Sequence, residues 1–322
     1  MNVQEELLRE KIDPHLTAAN LAAISTRIYG ERVHVSGARV LSGGCWNRVI
    51  GVEFEEDLSG LVFKISPNRE DTKVINEYRV HAFFAEIETM RTPEPYLLDT
   101  SEESIPGTVF VMERIPGKVM HSCFGYLSAS ERDRITGKIA EDLAVLHENQ
   151  EEGFGSCADS PDARHPTWPE FWLPRFDAVM KDVRESELVD SKLLGRVDSV
   201  RATFPIALDI GPTATLTHYD IWSGNVMIDI DSPGGAEISG YIDISGFYAD
   251  YARELSFSEM FGIADGGFFR RYGQTHPIDP GYRLRACIYN LKMSLKHVTM
   301  YPSESYYRRL AEECLAFIEA QG

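Results

Sequence analysis

Leu216-Thr-His-Tyr-Asp-Ile-Trp-Ser-Gly-Asn225 and, further on, Tyr241-Ile-Asp243 are the stretches on which the reading of this chain turns. His218, Asp220 and Asn225 fall in the pattern H-x-D-x-x-x-x-N. The spacing has a chemical reason. A carboxylate must meet an acceptor hydroxyl and take its proton, and an amide oxygen a few residues on must meet a metal ion. A second carboxylate, arriving from another strand, must hold metal against phosphates. Asp220, Asn225 and Asp243 can supply these in that order.

Working outward, residues 33–65 read as three strands. Val33 to Leu41 leads into Ser42-Gly-Gly-Cys-Trp-Asn47, Val49 to Phe54 alternates, and Leu61-Val-Phe-Lys-Ile65 follows a turn. Gly43 and Gly44 would let backbone N–H groups approach anionic oxygens with no Cβ in the way. The plain alternative is an ordinary hairpin turn. Lys64 sits inside an apolar strand, on the same face as Val62 by alternation. It is either an edge-strand charge that discourages aggregation or a lysine that meets phosphates. Arg69 to Thr89 reads as a helix with Val74, Tyr78, His81 or Ala82, and Ala85 on one face. Glu77 lies on it, either as a solvated charge or as the partner that orients Lys64.

Pro93 to Asp99 and Thr108 to Arg114 read as two more strands, the second running into a Pro116-Gly117 hinge. Backbone groups from Glu113 to Ile115 are placed to bond an adenine edge, with Met112 packed behind it. A boundary there divides the chain into two lobes. Residues 1–116 form a nucleotide-binding part, helical over 1–29 and a sheet over 33–114. Residues 117–322 form a mostly helical part that carries catalysis and binds the acceptor. In it, Ser130 caps a helix with Asp133 three residues on, and the helix ends near His147, which meets the dipole. Residues 149–169 read as a loop. Trp168, Phe171, Trp172 and Phe176 then open a helix and read as core before binding wall. Val226 to Ile230 and Ile238 to Ile244 read as a hairpin that sets Asn225 at a strand start and Asp243 near a strand end. Helices over 250–261, 282–300 and 305–319 follow.

Composition narrows the partners. The 322 residues are 43% hydrophobic and 25% charged, ample for a core. Fifty acidic against 32 basic residues give a net charge of −18. That argues against nucleic acid, which needs a basic face to displace counterions. It suits an amine-bearing substrate, or simply solubility. No window approaches the ~18 apolar residues of a membrane span, and the first residues have neither a basic nor an apolar signal region. A cytoplasmic protein, monomer or homodimer, is the expectation. Cys45, Cys123, Cys157, Cys287 and Cys314 are odd in number and lack C-x-x-C spacing, so they read as reduced thiols. Cys45, in the glycine turn, is the one whose surroundings would activate it.

A Gly-Gly turn between strands, a strand lysine, a helix glutamate, H-x-D-x-x-x-x-N and Ile-Asp occur in the order of a kinase-like phosphotransferase. More narrowly, His218-Tyr-Asp-Ile-Trp-Ser-Gly-Asn225 resembles the loop of the fructosamine (ketosamine) kinase family, within the wider aminoglycoside phosphotransferase superfamily. Ser42-Gly-Gly-Cys-Trp-Asn47, Arg253-Glu-Leu-Ser-Phe-Ser-Glu-Met-Phe-Gly262 and Pro280-Gly-Tyr282 are also similar to blocks of that family. The resemblance covers most of residues 36–310. Tyr219 stands where the family usually has Gly, Asp243-Ile-Ser-Gly replaces Asp-Pro-Ala, and Glu254 stands where Asp is common.

The resemblance implies an α+β, two-lobed protein-kinase-like fold with an antiparallel N-lobe sheet. It implies ATP-dependent, Mg²⁺-assisted transfer of a phosphoryl group to a sugar hydroxyl of a fructosamine- or ribulosamine-type ketoamine. Asp220 would be catalytic. Ser42, Gly43, Gly44, Lys64, Glu77, Met112, Glu113 and Ile115 would bind the nucleotide, and Asn225 and Asp243 would hold the metal. An aminoglycoside or other amine-bearing alcohol is the alternative acceptor. A nucleotide-binding regulator without catalysis is the alternative of another class.

Overall fold

Alternating apolar residues between Val35 and Glu113 build one antiparallel sheet. Its strands are β1 (Val35–Val40), β2 (Arg48–Phe54), β3 (Leu61–Ser66), β4 (Pro95–Asp99) and β5 (Thr108–Glu113), in the order β1-β2-β3-β5-β4. The computed structural model describes residues 16–41 and 47–321; the turn carrying Ser42, Gly43, Gly44 and Cys45 lies outside them, as does the helix expected before Leu16.

The two faces of the sheet have different fillings because side chains alternate along a strand. Leu61, Phe63, Ile65, Val109 and Val111 join Leu21 and Ile24 of helix α1 (Ala18–Tyr29) in one core. Phe110 and Met112 face the other way and pack with Val74 of helix α2 (Thr72–Ile87), where Val62 also lies. Lys64 shares that second face. Asp71 caps α2 by accepting from the N–H groups of Lys73 and Val74.

By its internal contacts the chain groups into two bodies, Met1–Gly117 with Ser239–Ile244, and Lys118–Ile238 with Ser245–Gly322. The short segment 239–244 thus belongs with the sheet of the first body. It is laced there by Tyr241 N–H to Arg91 O (2.8 Å) and Ser239 Oγ to Pro116 O (2.6 Å). A Cβ on Gly240 would stand 3.1 Å from both Arg91 O and Ile115 Cγ2, so a larger residue would push this segment off the hinge.

The second body carries β6 (Lys118–Val119), α3 (Met120–Cys123), α4 (Ala129–Leu146), β7 (Gln150–Glu152), β8 (Gly155–Ser156) and α5 (Trp168–Glu185). It continues with α6 (Ser191–Arg201), α7 (Phe204–Ala207), β9 (Thr213–Thr217), β10 (Val226–Asp229), β11 (Glu237–Tyr241, running into the first body) and β12 (Phe247–Ala249). Helices α8 (Tyr251–Met260), α9 (Gly266–Thr275), α10 (Tyr282–Met300) and α11 (Ser305–Glu319) close it. No helix among the described residues is long and apolar enough to cross a membrane.

Three sequence expectations are corrected. Helix α4 is capped by Ser128, not Ser130, because Glu131 rather than Asp133 completes a full capping box. Part of the expected loop over 149–169 is strand: β7 and β8 join β9 and β12 in a four-stranded sheet. Asp243 lies two residues past the end of β11 rather than in it, with φ +60°. His147 is the C-cap of α4, as expected, and is also fully buried and bonded to side chains.

Candidate active site

In the first body, β3 and α2 bring Lys64 and Glu77 together: Lys64 Nζ donates to Glu77 Oε1 at 2.6 Å. Val74, Glu77, Tyr78 and His81 recur at helical spacing on the face of α2 that meets the sheet, which explains why Glu77 reaches a strand residue. Asp243 adds its Oδ1 3.4 Å from the same ammonium. Burial depresses Lys64, but Glu77 and Asp243 together outweigh it and hold the group above the ordinary lysine value. Burial raises the Glu77 carboxyl despite the pull of Lys64, and Asp243 adds to the rise.

At the hinge, Met112 is buried against Val74 and Phe110. Glu113 N–H donates to Glu94 O (2.8 Å) and Arg114 N–H to Gly60 O (3.2 Å). The Glu113 carboxylate is held by Arg91. Two N–H groups of the expected adenine-binding stretch are therefore engaged. Among the described residues the Ile115 N–H has no internal backbone acceptor.

In the second body the loop after β9 is fixed from several sides. Asn225 Nδ2 donates to Asp220 Oδ2 (2.8 Å) and to Asp220 O (2.9 Å), which orients both the carboxylate and the amide. Trp222 lies over Gly224, where a Cβ would stand 2.2 Å from the indole; only glycine permits this turn. Asp220 N–H donates to His218 Nδ1 (3.3 Å), so the buried imidazole braces the loop.

One residue that carried no role in the sequence reading anchors the whole turn. Glu254, 0% exposed, accepts from Tyr219 N–H (2.6 Å), His218 N–H (3.2 Å) and His147 Nε2 (2.9 Å). His147 Nδ1 is in turn bonded to the Tyr272 hydroxyl (2.7 Å). Burial by itself would raise the Glu254 carboxyl, but His147 and the peptide N–H groups hold it below the ordinary value. Its neighbour Arg253 donates to Tyr219 O (2.5 Å) and lies 3.9 Å from the centre of the Tyr219 ring. These bonds hold Tyr219 at φ +75°, a region that a bulky side chain enters only at a cost. The signal was the block Arg253-Glu254, a pair of charges inside a helix with eight buried residues out of ten.

Each body presents a hard oxygen donor. In the second body the Asn225 Nδ2 is committed to Asp220, which leaves its Oδ1 to act as an acceptor, and in the first body the Asp243 carboxylate is 57% exposed. Among the described residues no group of three or more His, Cys, Asp or Glu is gathered for a metal. An amide oxygen and a carboxylate are each the hard oxygen donors that Mg²⁺ takes, a few from protein and the rest from phosphate and water.

Comparison with known proteins gives the family and the fold. The family model described as fructosamine kinase matches residues 17–319. A Vibrio parahaemolyticus protein named a probable ketoamine kinase is 25% identical over 243 residues, 71% of this chain and 78% of that one. A Haemophilus somnus 129PT crystal structure, of a candidate fructosamine-3-kinase, aligns with a TM-score of 0.70 at 18% identity, covering 92% of this chain and 96% of that one. A thermostable mutant of aminoglycoside phosphotransferase APH(4)-Ia, in ternary complex with ADP and hygromycin B, aligns with a TM-score of 0.63 at 17% identity over 93% of this chain and 98% of that one. The fold is therefore the kinase-like one of these phosphotransferases, and the chain belongs to the fructosamine kinase family, whose members are phosphotransferases.

Proposed function

We propose that Asp220 is the base in a transfer of the ATP γ-phosphoryl group to a sugar hydroxyl of a ketoamine. The observation that carries this reading is the Asn225 amide holding the Asp220 carboxylate at 2.8 Å, since a base must be oriented before its substrate arrives. Asp220 accepts the hydroxyl proton as the new O–P bond forms and the bond from the γ phosphorus to the bridging oxygen breaks, releasing ADP. Such transfers pass through a loose transition state, so positioning and neutralisation supply most of the rate.

Lys64, kept cationic and aimed by Glu77, contacts the phosphates. Backbone N–H groups of Gly43 and Gly44, next to Ser42 in a turn outside the described residues, would meet the phosphates. The Ile115 N–H and backbone groups from Glu113 meet the adenine edge over Met112. Asn225 Oδ1 and the Asp243 carboxylate would hold Mg²⁺, which supplies charge neutralisation at the phosphates when bound. The test is a panel of fructosamine, ribulosamine and aminoglycoside acceptors with labelled ATP. Phosphorylated ketoamine is the expected product. Turnover confined to aminoglycosides, or ATP binding with no product on any acceptor, would sink the reading.

A further inference from the structure

Arg175, Arg253 and Lys292 gather in the second body without an acid among them. Arg253 is buried, Lys292 half-buried and Arg175 exposed. Their charged heads rest on rings. Arg175 lies 3.7 Å from the Phe171 centre, Arg253 3.9 Å from Tyr219 and 4.8 Å from Phe257, and Lys292 Nζ 5.2 Å from Trp172. The rings are contiguous: Phe171 meets Phe247 at 5.6 Å, and Phe247 meets Tyr219 at 4.6 Å. None of the three cations has a carboxylate partner among the described residues. Burial, then Arg253, Lys296 and Arg175, push the Lys292 amine down to about 7.

Composition does not account for this. A chain with 50 acidic and 32 basic residues would place an acid beside most bases by chance. Cation–π contacts contribute about 0.5–2 kcal/mol each, and they hold the cations in place without cancelling their mutual repulsion. An anion would cancel it. The site also adjoins the chemistry, because Arg253 donates to the carbonyl of Tyr219, the residue before Asp220.

The geometry points to an anion site for the acceptor: the ketoamine carries a carboxylate or phosphate that seats on Arg175, Arg253 and Lys292 beside the catalytic loop. This rests on the kinase reading above and departs from the cationic acceptor that the net charge alone suggests. An amino-acid ketoamine would supply a carboxylate, and a sugar phosphate ketoamine a phosphate.

Four fructose ketoamines test it: the glycine conjugate against its neutral glycinamide counterpart, and a propylamine conjugate with and without a 6-phosphate. Relative kcat/KM is measured with ATP, and Kd by calorimetry without it. The charged member of at least one pair should win by about tenfold or more in both, as expected of charge-assisted hydrogen bonds. The winning pair names the anion. Lys292→Gln and Arg175→Gln should each cut that advantage to about threefold or less, while Lys181→Gln, the same loss of charge on an exposed site elsewhere, keeps it. Arg175 is exposed, so its variant tests the site even if Lys292→Gln unfolds. Equal Kd within both pairs, or an advantage that survives both substitutions, overturns the site. Equal turnover of charged and neutral ketoamines removes the site and leaves the kinase reading. Variant-sensitive binding with no turnover of any ketoamine removes the kinase reading and leaves the site.

Discussion

The lysine cluster of the first body and the catalytic loop of the second both concentrate charge, but they hold it by opposite means. Around Lys64 one base faces two acids, and the second acid, Asp243, is 57% exposed and sits past the end of its strand at φ +60°. Around Asp220 the charges are enclosed. Glu254 is fully buried with three donors on its two oxygens, and Asn225 holds the Asp220 carboxylate. The first arrangement is unfinished: its acid excess repels phosphate unless a cation accompanies it. The second is complete before any substrate arrives. The contrast separates a region that assembles around its ligand from one that the fold sets in advance.

If the loop is set in advance, deleting its reactive group should cost chemistry and nothing else. Asp220→Ala should lower kcat by about 10²–10⁴, the usual worth of a positioned general base. Its urea unfolding midpoint should stay near that of the parent, since the carboxylate serves the substrate and not the core. A variant that keeps more than a few per cent of the rate would break the assignment.

Removing the anchor should do the reverse and cost stability as well as rate. Glu254→Gln replaces an acceptor oxygen with an amide that faces donors, a loss of about 3 kcal/mol for a buried charged partner. The dependence on pH has a definite sign. The folded Glu254 carboxyl lies below its ordinary value of 4.5, so its contribution is complete above that value and is lost as pH falls through the folded pKa. Denaturant titrations should therefore show the widest gap between parent and variant near neutrality, closing on acidification below 4.5. A gap that widens in acid would contradict the ionised anchor.

On the phosphate side the expected loss is kinetic and smaller. Lys64→Met should lower kcat/KM for ATP by about 10- to 100-fold, in line with one charge-assisted contact. The same variant should leave acceptor binding in the absence of nucleotide unchanged. Calorimetry with ketoamine alone checks that, and an altered acceptor Kd would mean that the first body does more than receive the nucleotide.

What could be read in the sequence was what short-range patterns carry. Alternation put Lys64 on the face of Val62, helical spacing put Glu77 beside Val74 and Tyr78, and four residues of loop join Asp220 to Asn225. What could not be read depends on burial decided at long range. Glu254 and Arg253 lie in a helix buried on nearly every side, so no polar stripe marks their faces. Strands β7, β8 and β12, of two or three residues each, are too short to show a period. Ser128 and Ser130 offered two near-equivalent caps, and only the reach of Glu131 decided between them. Asp243 was expected near a strand end because Ile-Asp follows an apolar run, yet the chain leaves the strand at Tyr241.

The smallest expected effect concerns Tyr219, where the two kinds of region meet in one residue. It is strained like Asp243 but braced like Asp220. Replacing it by Gly relieves the left-handed backbone, worth about 1–2 kcal/mol for a bulky residue. It also removes the ring from Phe247 at 4.6 Å and from Arg253 at 3.9 Å, contacts worth about 0.5–1.5 and 0.5–2 kcal/mol. Glycine's extra freedom when unfolded costs about 0.5–1 kcal/mol more. The losses exceed the gain, so Tyr219→Gly should destabilise by about 1–2 kcal/mol in urea unfolding. A net gain would mean that strain outweighs bracing and that the loop is less set in advance than its hydrogen bonds imply. A loss above about 3 kcal/mol would make the ring a core anchor in its own right, with Arg253 held by Tyr219 rather than the reverse.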